Sequence, residues 1–114
     1  MYTKKELVLL NQEAGGSGIF SNEKSLDSAL KQAQSHSNWL FQLSYLLQSL
    51  LADFAFREEN RKTALLLSIH YLEEEGLGWD RELLLRTVFK ISQTRINNPI
   101  KIARSLYHVV REKN

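Results

Sequence analysis

Residues 37–54 constrain the fold most, because they read as one helix that is apolar around more than half of its circumference. A surface helix carries a narrower apolar stripe, so a helix of this kind needs neighbours on most of its sides. We therefore predict a central core helix over about Ser37–Phe54, surrounded by other helices. Its apolar residues are Trp39, Leu40, Leu43, Leu46, Leu47, Leu50, Leu51 and Phe54.

The composition favours helices throughout the chain. One proline, five glycines and many Leu, Ala, Glu, Lys and Gln residues leave little room for strands. A length of 114 residues is typical of one domain, and such a chain can bury a core without a metal or a disulfide. The expected fold class is all-α, a compact single-domain bundle of about six helices over residues 1–114.

Composition also narrows the classes of function. The chain has no cysteine, so disulfides and thiolate chemistry are excluded, which fits a reducing, cytoplasmic location. It has no signal-peptide pattern and no span of about 20 apolar residues, so we expect no membrane insertion. The net charge is +2, and no helix face carries a basic stripe, so nucleic-acid binding is poorly supported.

Caps and breakers delimit the first two helices. The first is expected over about Lys4–Glu13, before the glycine-rich stretch 15–18, which we expect to be a flexible loop. The second is expected to start near Ser21 or Asn22, since both are good N-caps. Its apolar face is formed by Leu26, Ala29, Leu30 and Ala33.

Three more helices are expected after the central one. The fourth begins at about Asn60 and ends before Gly76. Asp80 is the expected N-cap of the fifth, and Asn98 followed by Pro99 opens the sixth. The residues expected to face the core are Leu65, Leu66, Ile69 and Leu72 in the fourth helix, Leu83, Leu84, Thr87, Val88 and Ile91 in the fifth, and Ile102, Leu106 and Val109 or Val110 in the sixth.

Residues 56–63 combine the residue types that bind an anion at a helix start. The first turn of a helix presents N–H groups without intrahelical partners at the positive end of the dipole, where phosphate binds readily. We expect Asn60 to cap this turn and contact a phosphate, and Arg61 and Lys62 to add charge-assisted contacts. Glu58 could help hold magnesium. An ordinary polar helix start has the same residue types, and from the residues alone that structural interpretation is the stronger one.

The segment 54–62, Phe-Ala-Phe-Arg-Glu-Glu-Asn-Arg-Lys, resembles the signature of the Fic/Doc (fido) family, His-x-Phe-x-Asp/Glu-Gly/Ala-Asn-x-Arg. The matching positions are Phe56, expected to anchor the loop in the core, the acid Glu58 and Asn60. Residues 63–65, Thr-Ala-Leu, match the continuation found in Doc-like members. The basic pair is swapped relative to the usual Lys-Arg, so Lys62 stands at the position of the family's arginine.

The resemblance implies a fido-like fold over most of the chain, in the Doc-like (death-on-curing) branch. In that family the loop and helix start bind a nucleotide such as ATP with magnesium, and AMP or a phosphoryl group is transferred to a hydroxyl of a target protein. It places the metal at Glu58 and the nucleotide at Asn60, Arg61, Lys62 and Glu59. A target protein, and an antitoxin that folds against the surface as a helix, are the implied partners.

Two positions depart from the family pattern. Phe54 stands where the family's histidine takes the proton from the attacking hydroxyl, and loss of a general base costs about 10²–10⁴ in rate. Glu59 stands where a small residue lets phosphate approach the backbone, and its carboxylate either folds over the helix start or points outward. We therefore expect impaired transfer activity. A catalytically inactive helical protein-interaction module is the alternative.

The remaining candidate residues favour structural roles. We expect His36, His70 and His108 at the surface or at caps, Glu73–Glu75 on a solvated face, and Trp39 and Trp79 in core or interface packing. Asp53, Glu58 and Glu59 together form a weaker hypothesis, an acidic cluster that binds a metal ion.

Overall fold

Residues 2–112, which the computed structural model describes, form six helices and one pair of two-residue strands. The predicted all-α, single-domain bundle is confirmed, and its radius of gyration of 12.7 Å is that of a compact chain of this size. The elements are α1 (Lys4–Glu13), α2 (Glu23–Gln34), α3 (Trp39–Leu51), α4 (Asn60–Glu74), β1 (Gly78–Trp79), α5 (Arg81–Thr94), α6 (Pro99–Tyr107) and β2 (Val110–Arg111). None of the helices formed by these residues has the length and apolar character that a bilayer crossing needs.

The central helix is α3, as predicted, and it packs against α2, α4, α5 and α6. It is shorter than predicted at both ends. Asn38 is its N-cap, because the Asn38 side chain accepts hydrogen bonds from the N–H groups of Leu40 and Phe41. At the other end the chain leaves the helix after Ala52, and Phe54 has a φ of 50°. The guanidinium of Arg95 donates two hydrogen bonds to the Ala52 carbonyl and so stabilises this early end.

The other predicted caps and several predicted faces are confirmed. Asn22 caps α2, Asp80 caps α5, and Asn98 caps α6 with Pro99 at its first turn. All four predicted apolar residues of α2 are buried. In α6 and the turn after it, the buried residues include Ile102, Leu106 and Val109.

The buried face of α4 differs from the predicted one. Of the predicted stripe only Leu72 is buried, while Leu65, Leu66 and Ile69 are half-buried. Apolar residues occur on every side of this helix, so the sequence pattern does not fix its rotation. The residues that face the core are Thr63, Ala64, Leu67, Ser68, Tyr71 and Leu72.

The two strands join the turn after α4 to the end of the described chain. Gly78 pairs with Arg111, and Trp79 pairs with Val110, in antiparallel orientation. The N–H of Asp80 donates to the carbonyl of Val109 over 3.0 Å. Sequence analysis did not predict these strands, because two residues are too few to produce a periodic pattern.

Candidate functional site

The loop between α3 and α4 (residues 52–59, the motif loop) is fixed to the core by Phe56. Phe56 is 1% exposed, and its ring stacks on Phe20 with the centroids 5.0 Å apart, as predicted for an anchor. The two residues also form an antiparallel bridge, next to which the N–H of Arg57 donates to the carbonyl of Ile19. The motif loop is therefore held against the segment that precedes α2.

Asn60 stabilises the motif loop instead of capping the helix. Its Oδ1 accepts a hydrogen bond from the N–H of Phe56 at 3.0 Å, and its Nδ2 donates to the Phe56 carbonyl at 2.8 Å. The prediction that Asn60 caps α4 is therefore wrong, since Asn60 is the first helical residue and Glu59 precedes the helix. For a ligand, Asn60 retains its backbone N–H and one side-chain amide hydrogen.

The N-terminus of α4 has no side-chain cap. Glu59 has a φ of 60°, in the left-handed region, and its side chain makes no capping hydrogen bond. Instead its Oε2 lies 3.9 Å from Nζ of Lys62. The Glu59 carboxylate therefore caps none of the N–H groups of the helix start, although it lies beside the first turn, next to Lys62. The N–H groups of the first turn have no intrahelical partners, and that turn carries no acidic residue.

An open cleft of about 710 Å³ lies at this uncapped helix start. Arg61 reaches across it to α5, where its Nε donates to Oγ of the buried Ser92 at 3.2 Å and its guanidinium lies 4.8 Å from the Phe89 ring centroid. Lys62 remains exposed, and Arg57 adds a third cation. All the residues predicted for the site line this cleft, namely Phe54, Glu58, Glu59, Asn60, Arg61 and Lys62.

The carboxylate of Glu58 is ionised and already accepts one hydrogen bond. Its Oε1 accepts a hydrogen bond from the N–H of Ser17 at 2.6 Å. Hydrogen bonding to Ser17 lowers the pKa of the Glu58 carboxyl below its usual value. The glycine-rich stretch that we expected to be only a flexible loop thus contacts the motif loop directly.

Asn11 is a site residue that sequence analysis missed. It is fully buried and connects three segments: its Nδ2 donates to the Glu58 carbonyl and to Oγ1 of Thr63, and its Oδ1 accepts from the N–H of Gly18. A Cβ at Gly16 would collide with the Asn11 side chain, which explains the glycine there. The available signal was an asparagine on the same helix face as Leu7 and Ala14, where an apolar residue is the norm.

Phe54 lies at the edge of the cleft beneath a guanidinium. Its side chain is 37% exposed, and the guanidinium carbon of Arg95 lies 4.8 Å from the ring centroid. The same Arg95 group holds the end of α3 at Ala52. Phe54 thus contributes an aromatic, partly exposed wall, and it has no atom that accepts a proton.

The three acids of the motif region do not form a metal-binding cluster, so that hypothesis is wrong. Asp53 accepts a hydrogen bond from Oγ of Ser25, Glu58 is bound to Ser17, and Glu59 faces Lys62. Within residues 2–112 no group of three His, Cys, Asp or Glu side chains is placed to hold a metal ion.

The histidines, tryptophans and acidic run have the structural environments we predicted. His36 stacks on Phe41 and Tyr45, His70 stacks on Tyr2, and His108 is exposed beside Tyr107. None of the three lines the cleft. Trp39 and Trp79 pack against the core, and Glu73–Glu75 are exposed.

Comparison with protein-family models, with curated proteins and with solved structures finds no match to this chain. The functional argument therefore depends on the residues of the cleft. Their arrangement offers an anion three cations and the unpaired N–H groups of a helix start, beside an aromatic wall. Two carboxylates also line the cleft, Glu58, which accepts the N–H of Ser17, and Glu59, which lies beside Lys62.

Proposed function

We propose that this chain is a Doc-like protein of the fido fold that binds a phosphate-bearing nucleotide in the cleft, with transfer activity impaired at Phe54. The observation that carries the proposal is the uncapped N-terminus of α4 inside a cleft lined by Arg57, Arg61 and Lys62. Cations in the first turn of a helix oppose its dipole, and a bound anion would offset that cost.

The backbone of Glu59 gives independent support to the family resemblance. This residue adopts a φ of 60°, a conformation that glycine reaches without strain and that other residues avoid. It stands at the position where the family has glycine or alanine. The left-handed backbone thus fits the glycine of the family pattern, whereas it would strain alanine as it strains Glu59.

The cleft suits phosphate better than it suits a free metal ion. Glu58 is the metal ligand that the resemblance implies, and one of its oxygens already accepts the N–H of Ser17. Magnesium is usually held in proteins by one or two carboxylates together with substrate phosphates. Glu58 would therefore hold magnesium only as part of a nucleotide complex, where the metal supplies charge neutralisation of the phosphates.

The residues of the cleft would bind and orient a nucleotide without activating a hydroxyl. Arg61 is preorganised by Ser92 and Phe89, while Lys62 is a flexible point charge that replaces the family's bidentate arginine. Phe54 cannot take a proton, and Glu58 has a lowered pKa, which makes its carboxylate a weak base. The expected outcome is binding with little or no transfer.

Calorimetric titration with Mg-ATP tests the binding. We expect saturable binding that Lys62→Ala and Arg57→Ala each weaken about three- to tenfold, since each loses one charge-assisted contact. Lys90→Ala, an exposed lysine of α5 that does not line the cleft, is the matched control. Asn60→Ala is a poor test, because it also removes both hydrogen bonds to Phe56. No binding at millimolar Mg-ATP would contradict the proposal.

Replacing Phe54 and Glu59 by the residues of the family pattern tests the proposed transfer activity. Phe54→His together with Glu59→Gly is expected to increase transfer of label from radiolabelled ATP to protein, because it restores a proton acceptor and a small residue at a left-handed position. Phe54→Leu with Glu59→Gly is the control without a base. Equal activity of the two double variants, both folded, would show that residue 54 is not the catalytic position.

A helical protein-interaction module without transfer activity is the second candidate. Large apolar side chains exposed on α5 favour it, since Leu85 is 45% and Phe89 47% exposed.

A further inference from the structure

An apolar groove runs along α4 and α5 beside the cleft. It consists of two adjoining cavities of about 160 and 280 Å³, both of which are lined by Leu65 and Leu85. We call it the α4–α5 groove, and its apolar lining is Leu65, Ile69, Trp79, Leu84, Leu85, Val88 and Phe89.

The rotation of α4 produces this groove. Because α4 turns Ala64, Leu67 and Ser68 towards the core, Leu65 and Ile69 remain half-buried at the surface. Across from them, Leu84 and Val88 form a buried floor, while Leu85 and Phe89 are exposed. Adjoining exposed apolar side chains that are rimmed by charged residues are one feature of surfaces that contact another protein.

The charges along the α4–α5 groove all have one sign. The charged residues that line it are Arg61, Lys62 and Arg81. Glu59 approaches only Lys62, and the acid of the first turn of α5, Glu82, lies 3.5 Å from Arg86. A partner therefore meets a positive groove.

We propose that the α4–α5 groove binds an acidic amphipathic segment of a partner protein. Its apolar side chains would contact Leu65, Leu85 and Phe89, and its carboxylates would lie beside Arg61, Lys62 and Arg81. Grooves between two helices accept apolar anchors spaced three or four residues apart on a helix. A second copy of this chain fits poorly, because its groove would bring the same cations face to face. The inference does not rest on nucleotide binding.

Selection from a phage-displayed library of random 16-residue peptides tests the proposal. Enriched peptides are expected to be rich in Asp and Glu, with apolar residues at helical spacing. Anisotropy of one labelled peptide should give an affinity that Leu85→Ser and Phe89→Ser each weaken at least about tenfold, as expected of central anchor residues. Ile100→Ser is the matched control, since Ile100 is 57% exposed on α6, away from the groove.

A charge exchange tests the complementarity. Arg81→Glu should weaken binding of the acidic peptide about tenfold. A peptide whose acids are replaced by lysine should bind the Arg81→Glu variant more tightly than it binds the parent protein. The proposal is overturned if no peptides are enriched, if they are basic, or if Ile100→Ser matters as much as Leu85→Ser. A dimer in sedimentation that Leu85→Ser abolishes would assign the groove to a second copy instead. Leu85 does not line the cleft, so Leu85→Ser should bind Mg-ATP as the parent protein does. This titration distinguishes a failure of the groove proposal from a failure of nucleotide binding.

Discussion

At the scale of single residues, backbone strain is concentrated around the cleft. The three non-glycine residues with positive φ among residues 2–112 are Phe54, Glu59 and Arg95. Each left-handed residue costs about 1–2 kcal/mol. Phe54 and Glu59 line the cleft, and Arg95 covers Phe54. Strain of this kind persists where the surrounding contacts determine the backbone, and it is frequent at binding sites.

Tyr71 carries a different local cost, an unsatisfied polar atom. Its hydroxyl is buried and has no hydrogen-bond partner within residues 2–112. The ring centroids of Tyr2 and Tyr71 are 5.1 Å apart. Burial, with a smaller contribution from the charge of Glu74, raises the pKa of Tyr71 to about 12. The native state therefore keeps this proton at a pH where an unfolded tyrosine has lost it.

Tyr71→Phe is expected to raise the free energy of unfolding by about 1 kcal/mol, because it removes an unpaired buried hydroxyl. Between the unfolded pKa of 10 and the folded value of about 12, the native parent binds more protons than its unfolded state, so its stability falls as pH rises. The variant lacks this loss, and its advantage should grow from pH 9 to pH 11 in urea unfolding.

Tyr2→Phe is the control for the stability gain at neutral pH, because it removes a hydroxyl that does have a partner, Glu74 at 2.8 Å. Burial and the hydrogen bond to Glu74 also raise the pKa of Tyr2, so the pH series is compared with Tyr107→Phe, at a position that is 68% exposed. A Tyr71→Phe variant less stable than the parent would mean that the hydroxyl has a partner in solution, such as a buried water.

At the scale of elements, the caps of α2, α5 and α6 could be predicted, while the caps of α3 and α4 and some helix faces could not. Asn22, Asp80 and Asn98 were identified because a cap is a local feature of two or three residues. The end of α3 could not be predicted, since it depends on Arg95, which is 43 residues away from Ala52 in sequence. The rotation of α4 likewise depends on which neighbours surround a helix that is apolar on all sides.

In the candidate site, too, features marked by a local pattern could be predicted, whereas contacts between distant parts of the sequence could not. Phe56 was identified as the anchor because a local pattern marks it, whereas the role of Asn60 depends on the turn of the motif loop. Asn11 makes its contacts 47 and 52 residues away, with Glu58 and Thr63. No local pattern pairs such residues, although a polar residue on a buried helix face is a signal in itself.

Asn11→Ala is the prediction at this scale, because one side chain joins α1, the glycine-rich stretch and the start of α4. We expect a loss of about 2–4 kcal/mol, since the substitution leaves buried partners unsatisfied at Glu58, Thr63 and Gly18. Chemical unfolding measures the loss. Glu13→Ala, an exposed position on the same helix, should change stability by less than about 0.5 kcal/mol. Similar values for the two variants would refute the joining role of Asn11.

At the scale of the whole molecule, the last described residues pack against the start of α5 and pair with β1, an arrangement that we call the closure. The pairing of β1 with β2 ties the turn between α4 and α5 to the segment that follows α6. Val109 is buried, and its carbonyl accepts the N–H of Asp80, the residue that caps α5. Residues 108–111 therefore stabilise α5 and, with it, the wall of both the cleft and the α4–α5 groove.

A pair of truncated chains tests this closure. The free energy of unfolding of a chain that ends at Tyr107 should be about 3 kcal/mol lower than that of a chain that ends at Arg111. About 2 kcal/mol of this comes from the burial of Val109, and the rest from the lost backbone hydrogen bonds. The two chains differ only in residues 108–111, so urea unfolding of both isolates the contribution of these four residues.

If the shorter chain does not fold, Val109→Ala in the chain that ends at Arg111 provides a second measurement. That variant keeps the strand pairing and loses only apolar contact, so it should cost about 1–2 kcal/mol, less than the truncation. Equal stability of the parent, the variant and the truncated chain would mean that α1–α6 alone hold α5 in place. Because α5 supplies Ser92 and Phe89 to Arg61, a closure of the predicted strength makes the basic lining of the cleft depend on the last strand.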